Sequence, residues 1–366
     1  MDLLIFLAVL VLLIIVHEFG HFLAAKKAGV RVDEFGIGFP PRLFGFRKGE
    51  TEYTLNLIPF GGFVKIFGED PDAEALLGPD KERSLARQSK RVRAAVIAAG
   101  VFCNFLLAWV LFSFGYAVGF PVSADNIPRG GNVLNQELLI TGISEGSPAE
   151  DAGLRHGDVI TALRASEKEL APVSPALVRD FISSHEGVLI TVSYERDGTF
   201  AETALVPKRG IVGEEPAIGI AMDMVGFVRL PLHQAFWEGG KMTVSLSLAI
   251  VSSLATLLAG VFDGTADVSH IAGPIGIVGL VGNAADLGAM YLLGFVAFIS
   301  VNLAVLNLIP FPALDGGRLF FLLIEAVKGS PVRPAIANAA HAVGFAILII
   351  VMLLVTYSDI VKLIAN

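Results

Sequence analysis

Four long apolar runs set the limits on what this chain of 366 residues can become: residues 3–25, 94–120, 290–314 and 338–364. About 20 apolar residues suffice for a helix to cross the hydrocarbon layer, so each run is long enough. A chain built around four such runs cannot close on a single water-soluble core. The mean hydropathy of +0.68 and a charged fraction of 17% agree with a polytopic α-helical membrane protein of about four spans. A net charge of −8, with no basic patch interleaved with aromatics, argues against nucleic acid as a partner. The lone cysteine, Cys103, sits in an apolar run and excludes both an intrachain disulfide and a cysteine-based metal cluster.

A fifth run, 242–262, is more polar. Serines and threonines occupy 243, 245, 247, 252, 253 and 256. The expectation is a helix lying at the membrane interface, although hydroxyls also line helix contacts within lipid.

Charge orients the runs. The first is preceded only by Asp2 and followed by Lys26, Lys27 and Arg31, which suits a retained helix with its C-terminal end inside. Residues 26–93 hold 13 basic and 10 acidic residues, a net of +3. Residues 121–232 hold 9 basic and 16 acidic residues, a net of −7, which suits the outer side. The expected organisation is therefore 1–120, a first membrane core; 121–232, an extracytoplasmic domain; 233–289, the interfacial helix and its connection; and 290–366, a second membrane core.

Within the outer block, "GSPAEDAGL" offers Ser147 as a helix cap and Gly153 as its end. Residues 187–207 alternate in the manner of a hairpin turning at Asp197-Gly198, and 216–222 read as a further strand. Residues 126–137, around Gly130 and Gly131, read as a loose connection. The string "SPAEDAGLRHGDVI" resembles a PDZ domain of the circularly permuted bacterial form. That resemblance implies that Ile218, Gly219 and Ile220 form the strand that pairs with a peptide. A spacer domain that binds nothing is the alternative.

The first run ends in "HEFGH". On a helix His17 and His21 share one face a turn apart, so both imidazoles can reach one metal, with Glu18 beside them. H-E-x-x-H is the pattern in which two histidines hold zinc and the glutamate acts as general base. Ionisable groups are expensive in lipid, which strengthens a pattern that is weak by chance alone. Far along the chain, "NLAVLNLIPFPALDGGR" puts Asp315 at the end of another apolar run, with no neighbouring base before Arg318. An isolated carboxylate there is costly, and coordination to the same ion stabilises it. A structural polar cluster between helices is the alternative.

HEFGH in the first span and N-x-x-P-x-x-x-L-D-G near the end of a later one resemble the site-2 proteases. The branch is that of the bacterial regulator-of-sigma-E protease, here with room for one PDZ domain. The likeness extends to "GFPPRLF" (38–44), "IPFGGFVKI" (58–66) and "GPIGI" (273–277). It implies one Zn2+ held by His17, His21 and Asp315, with Glu18 as catalytic base. It implies substrate contacts from Asn302 and Asn307, and a helix interrupted by Pro310 and Pro312. "GVFCN" (100–104) departs from the family's G-P-x-x-N at Val101, which leaves Asn104 without a role.

A helical substrate must be unwound before its carbonyls can react. The run 49–68 is amphipathic and β-like, broken at Pro59-Phe60-Gly61-Gly62. The expectation is a membrane-dipping hairpin on the cytoplasmic side whose edge, including Gly61 and Gly62, pairs with extended substrate; a hairpin that merely packs on helices is the alternative. The family further implies single-span membrane substrates, such as anti-sigma factors and remnant signal peptides, an upstream protease, and a bacterial inner-membrane location. Two rival classes remain: a PDZ-bearing scaffold with structural zinc, and a metal transporter.

Overall fold

The computed structural model describes residues 1–69, 73–124, 127–128, 131–166, 168–171, 174–196, 198–211, 213, 215–264 and 273–365. Gly130, Asp197 and His270 lie outside the described residues. Contacts divide the chain into two compact units, one of Met1–Phe112, Gly239–Gly282 and Leu293–Ala365, the other of Ser113–Glu238 and Asn283–Leu292.

The first unit begins with helix α1 (Asp2–Lys27), apolar until the histidines and closed by Lys26 and Lys27 in its last turn. Those cations complement the carbonyl end of the helix. Strands β1 (Val32–Lys48) and β2 (Thr51–Ile66) follow, and short helix α2 (Ala73–Leu77) comes after them. Both strands bend, so residues 34–37 pair on one side with 62–65 and on the other with 52–55, while Phe44–Lys48 pair with Thr51–Leu55. The hairpin is thus larger than the sequence reading, which confined it to 49–68. Its turn is Gly49-Glu50, and the Pro-Phe-Gly-Gly break is a bend inside β2 rather than a tip. Glycines supply the bends: Gly38 and Gly61 have φ of +80° and +148°. Phe39, Leu43, Phe44, Phe46, Leu55 and Leu57 are exposed on this small sheet. An apolar patch of that size in contact with water would be unusual.

Helix α3 (Lys90–Val118) packs on α1, and their backbones nearly touch. A Cβ on Gly20 would stand 2.4 Å from the Ala99 carbonyl oxygen. Helix α8 (Ala289–Leu308) is buried along Val296, Ala297, Ser300, Val301, Ala304 and Val305. Helices α9 (Asp315–Lys328) and α10 (Pro334–Ala365) also belong to this unit.

Helix α6 (Leu232–Asp263) is continuous, and α7 (Pro274–Asp286) is a shorter helix after it. Among the described residues five helices are long and apolar enough to cross a membrane, against the four expected: α1, α3, α6, α8 and α10. The difference is α6. Its hydroxyls are less polar than their count suggests, because they bond back to their own helix. Thr243, Ser247 and Thr256 each donate to the carbonyl four residues earlier, at 2.9, 2.6 and 3.0 Å.

In the second unit β3 (Phe120–Ser123), β4 (Asn132–Ile143), β5 (Val159–Ala165), β6 (Lys168–Leu170), β7 (Ile190–Arg196), β8 (Thr199–Leu205) and β9 (Ile220–Arg229) form one sheet. Its order is β3-β9-β4-β5-β7-β8, with β6 beside β5. Helices α4 (Pro148–Asp151) and α5 (Pro175–Ser183) cover it. Ser147 caps α4 through the Glu150 amide, and Gly153 leaves it at φ +76°. The core is Leu138, Ile140, Ile160, Leu163, Val178, Ile190, Val192 and Ile218. Buried Asp158 holds Arg196 through both oxygens, at 2.6 and 2.7 Å. Two local expectations change here. Residues 132–137, read as loose connection, belong to β4 because Asn132 to Glu137 pair with Arg229 to Val225 of β9. The strand expected at 216–222 begins only at Ile220, since Ile218 and Gly219 turn their carbonyls to the Ala149 and Ser144 amides.

Candidate metal centre

The histidines and the aspartate, nearly three hundred residues apart in sequence, meet in the first unit. His17 Nε2 and His21 Nε2 lie 3.2 Å apart. Asp315 Oδ2 is 3.1 Å from the first and 3.2 Å from the second. Three donors at the corners of a nearly equilateral triangle are one face of a tetrahedron. Zinc bonds of about 2.0–2.1 Å would set such corners about 3.3 Å apart. Asp315 Oδ2 is buried against the two imidazole nitrogens, a costly place for a carboxylate oxygen unless a proton or a cation lies between them. Two imidazoles and a carboxylate are a donor set that zinc accepts, with the fourth corner open. The residues fit the metal.

Each donor is held in place by local structure. The i, i+4 spacing on α1 stacks the two rings edge to face, with centroids 4.8 Å apart. His21 Nδ1 bonds the Val96 carbonyl of α3 at 2.9 Å. The side-chain amide of Asn104, fully buried on α3, stands 3.3 Å from His17 Nδ1. Asp315 opens α9, where the helix N-terminus favours a carboxylate. The chain reaches it through a tight loop after α8. Pro310 and Pro312 prevent that helix from continuing. Ala313 sits at φ +81°, unusual for a residue with a side chain, and its amide donates to His341 Nδ1 of α10 at 3.0 Å. A Cβ on Gly316 would stand 2.1 Å from the Ile309 carbonyl oxygen, so only glycine lets the loop fold over the helix start.

Glu18 lines a cavity of about 270 Å³ together with His17, His21, Asp315 and Arg318. It takes a hydrogen bond from the Val64 backbone. Phe63, Val64 and Ile66 of β2 form one wall of the cavity. Gly62 is pressed against α1, where a Cβ would stand 2.8 Å from Ile14 Cγ2 and 3.4 Å from Glu18 Cγ. Among the described residues the stretch 61–66 pairs with β1 on one side only, so an open strand edge runs beside the acid. Gly61 backs onto the ring of Phe39.

Other expected residues stand apart from this cavity. Asn302 on α8 turns its amide onto the Phe298 carbonyl of its own helix, at 3.0 Å. Asn307 is half-buried in the last turn of α8, and neither asparagine lines the cavity wall. In the second unit Ile218, Gly219 and Ile220 line a groove of about 510 Å³ shared with Arg179 and Ile182 of α5.

Sequence reading missed Glu69, which pairs with Arg318 at the cavity. It gave His341 no part in the chemistry, and it set Asn104 aside because Val101 breaks the family pattern. The contacts of Asn104 and His341 depend on which helices face each other, and one sequence does not contain that.

The family model for peptidase family M50 matches residues 5–351. Zinc metalloprotease RasP of Shouchella clausii is 29% identical over 99% of both chains. Zinc metalloprotease RasP of Geobacillus kaustophilus is 30% identical over 98% of this chain and 97% of its own. Among solved structures, the PDZ domain of an SdrC-like protein from Listeria monocytogenes matches 25% of this chain and 92% of its own, at 22% identity and a TM-score of 0.22. With a family match across nearly its whole length, on a chain that brings the HEFGH and LDG motifs together, this protein belongs to peptidase family M50.

Proposed function

We propose that the chain is a zinc-dependent endopeptidase that cuts membrane-spanning substrates within the bilayer, with His17, His21 and Asp315 as zinc ligands and Glu18 as base. The observation that carries this is the triangle of donor atoms beside a glutamate, at the end of an apolar helix. Zinc at such a site supplies Lewis acidity, which makes water a usable nucleophile at neutral pH and polarises a carbonyl. Glu18 accepts the proton of the attacking water as its oxygen adds to the scissile carbonyl carbon. It then delivers that proton to the leaving nitrogen as the C–N bond breaks.

The free edge at 61–66 suits the unwinding step. An extended substrate segment adds there as another strand, which satisfies its backbone and brings a carbonyl past Glu18. Asn302 and Asn307 act in substrate binding from α8, and Pro310 and Pro312 keep the approach to Asp315 unwound. The groove beside Ile218, Gly219 and Ile220 takes an extended peptide.

Four spans are favoured over five by parity. The histidines near the end of α1, Val96 to Asn104 near the start of α3 and Asp315 just beyond α8 share one level. Hence α8 runs in the same direction as α1 and opposite to α3. An even number of crossings must separate α3 from α8. If α6 crossed, a return would have to fit before α8, and α7 has only 13 residues, about 20 Å of helix. Thus α6 lies at the interface, and residues 121–232 form the extracytoplasmic domain of a bacterial inner-membrane protein. Its substrates are single-span proteins, of the anti-sigma-factor or remnant-signal-peptide kind, already shortened by an upstream protease.

A structural-zinc scaffold would need no base. A transporter would need further ligands along a path, and among the described residues no second cluster of three such ligands occurs. The test is zinc retention: Asp315→Asn and His17→Ala should each weaken zinc binding by about 100-fold or more. Wild-type affinity in both would remove the ligand assignment.

A further inference from the structure

We propose that Asn104 is a positioning residue that fixes the ring state of His17 and so holds its Nε2 ready for the metal. This rests on His17, His21 and Asp315 being the zinc ligands. Three residues of α3, spaced four apart, back the two histidines of α1, also spaced four apart. Val96 offers its carbonyl to His21 Nδ1 at 2.9 Å. Gly100 makes room for the same ring, since a Cβ there would stand 2.2 Å from His21 Nε2. Asn104 meets His17 Nδ1.

The chemistry follows from the imidazole. A neutral ring has one N–H and one lone pair. A lone pair on Nε2 for zinc puts the proton on Nδ1, which must then donate. Val96 is a natural acceptor for His21. For His17 the acceptor is the Asn104 amide oxygen. In the structure Asn104 Nδ2 stands 3.3 Å from Nδ1, while Oδ1 is buried without a partner. A half-turn about the Cβ–Cγ–amide axis exchanges the two atoms and matches donor with acceptor. The backbone of Asn104 is separately pinned, because buried Ser300 of α8 donates to its carbonyl at 2.9 Å. The side chain is therefore presented from a fixed point to a ring with its other nitrogen in the ligand triangle. Partners of this kind raise metal affinity by about 10–100-fold in other histidine sites.

The test measures zinc affinity of the full-length protein in detergent by chelator competition, with the visible spectrum of the cobalt-loaded protein as a second readout. Asn104→Leu should weaken zinc binding by about 10–100-fold and alter the cobalt spectrum. Asn104→Asp, which keeps an oxygen acceptor, should stay within a few-fold of wild type. Ser300→Ala, which removes one support of that fixed point and leaves the Asn104 side chain intact, should weaken zinc binding by less than Asn104→Leu does. Unchanged affinity in Asn104→Leu overturns the proposal. So does an Asn104→Asp loss matching that of Asn104→Leu; should Asn104→Leu not fold, a tenfold loss in Asn104→Asp by itself overturns it. His17→Ala, run alongside, separates the two readings: wild-type affinity there defeats the ligand assignment itself.

Discussion

His17, Glu18, His21 and Asp315 had to be explained because ionisable groups among apolar helices are costly unless each is used. The sequence named all four, since H-E-x-x-H is a local pattern and Asp315 stands out at the end of an apolar run. It did not name their supports. Asn104, Val96 and His341 act across helices, and only the packing of α1 on α3, and of α10 on the 309–314 loop, makes them partners. His341 gives a residue-scale prediction. Replacing it with leucine strands the amide of Ala313 in a part-buried loop that already holds a left-handed conformation. Thermal unfolding in detergent should show a loss of about 1–3 kcal/mol. No change in midpoint would mean that the loop does not need the strut.

Among the elements, the small sheet was only half legible. Alternation identified 49–68 as β-like, but the partner strand Val32–Lys48 was missed. It carries Pro40, Pro41 and three glycines, residues that read as breaks in one sequence and serve as bends in the folded sheet. The edge of β2 at 61–66 is predicted to be the substrate's template. Phe63→Pro would disrupt that edge while leaving the zinc ligands in place. Cleavage of a helical single-span reporter should fall by tenfold or more with zinc content retained, and unchanged cleavage would reduce the sheet to a packing element. The far end of the sheet is tied to the helices by charge. Glu50 bonds Lys26 at 2.5 Å and Arg83 at 2.6 Å. The Lys26 ammonium above all, with Arg83, holds the Glu50 carboxyl below the usual carboxylate range. A depressed carboxyl pKa stabilises the fold above the unfolded value, and that contribution is lost as pH falls through the folded one. Wild-type stability should therefore drop on the acid side more steeply than that of Glu50→Gln. Parallel acid limbs would contradict the tie.

At the scale of the whole molecule, length and hydropathy revealed the helices, while α6 shows their limit. Composition admits it as a span, whereas the proposed four-span arrangement lays it at the interface by parity between α3 and α8, and parity needs the site's geometry. A tag inserted at Gly288 should be reached by a membrane-impermeant probe from the side that reaches residues 121–232. Labelling only from the opposite side would require α6 to cross and would break the four-span arrangement. The second unit's helix cap, hairpin and core alternation were legible because they are local. The start of β9 was not, since the Ile218 and Gly219 carbonyls are claimed by another segment.

The central claim is that one acid beside a three-ligand metal site performs hydrolysis inside the membrane. Zinc content and cleavage of a single-span reporter, measured side by side for wild type and Glu18→Gln, test it most directly. Full zinc occupancy with cleavage abolished is the predicted result for Glu18→Gln. Cleavage by Glu18→Gln at the wild-type rate would contradict the assignment of Glu18 and the mechanism built on it.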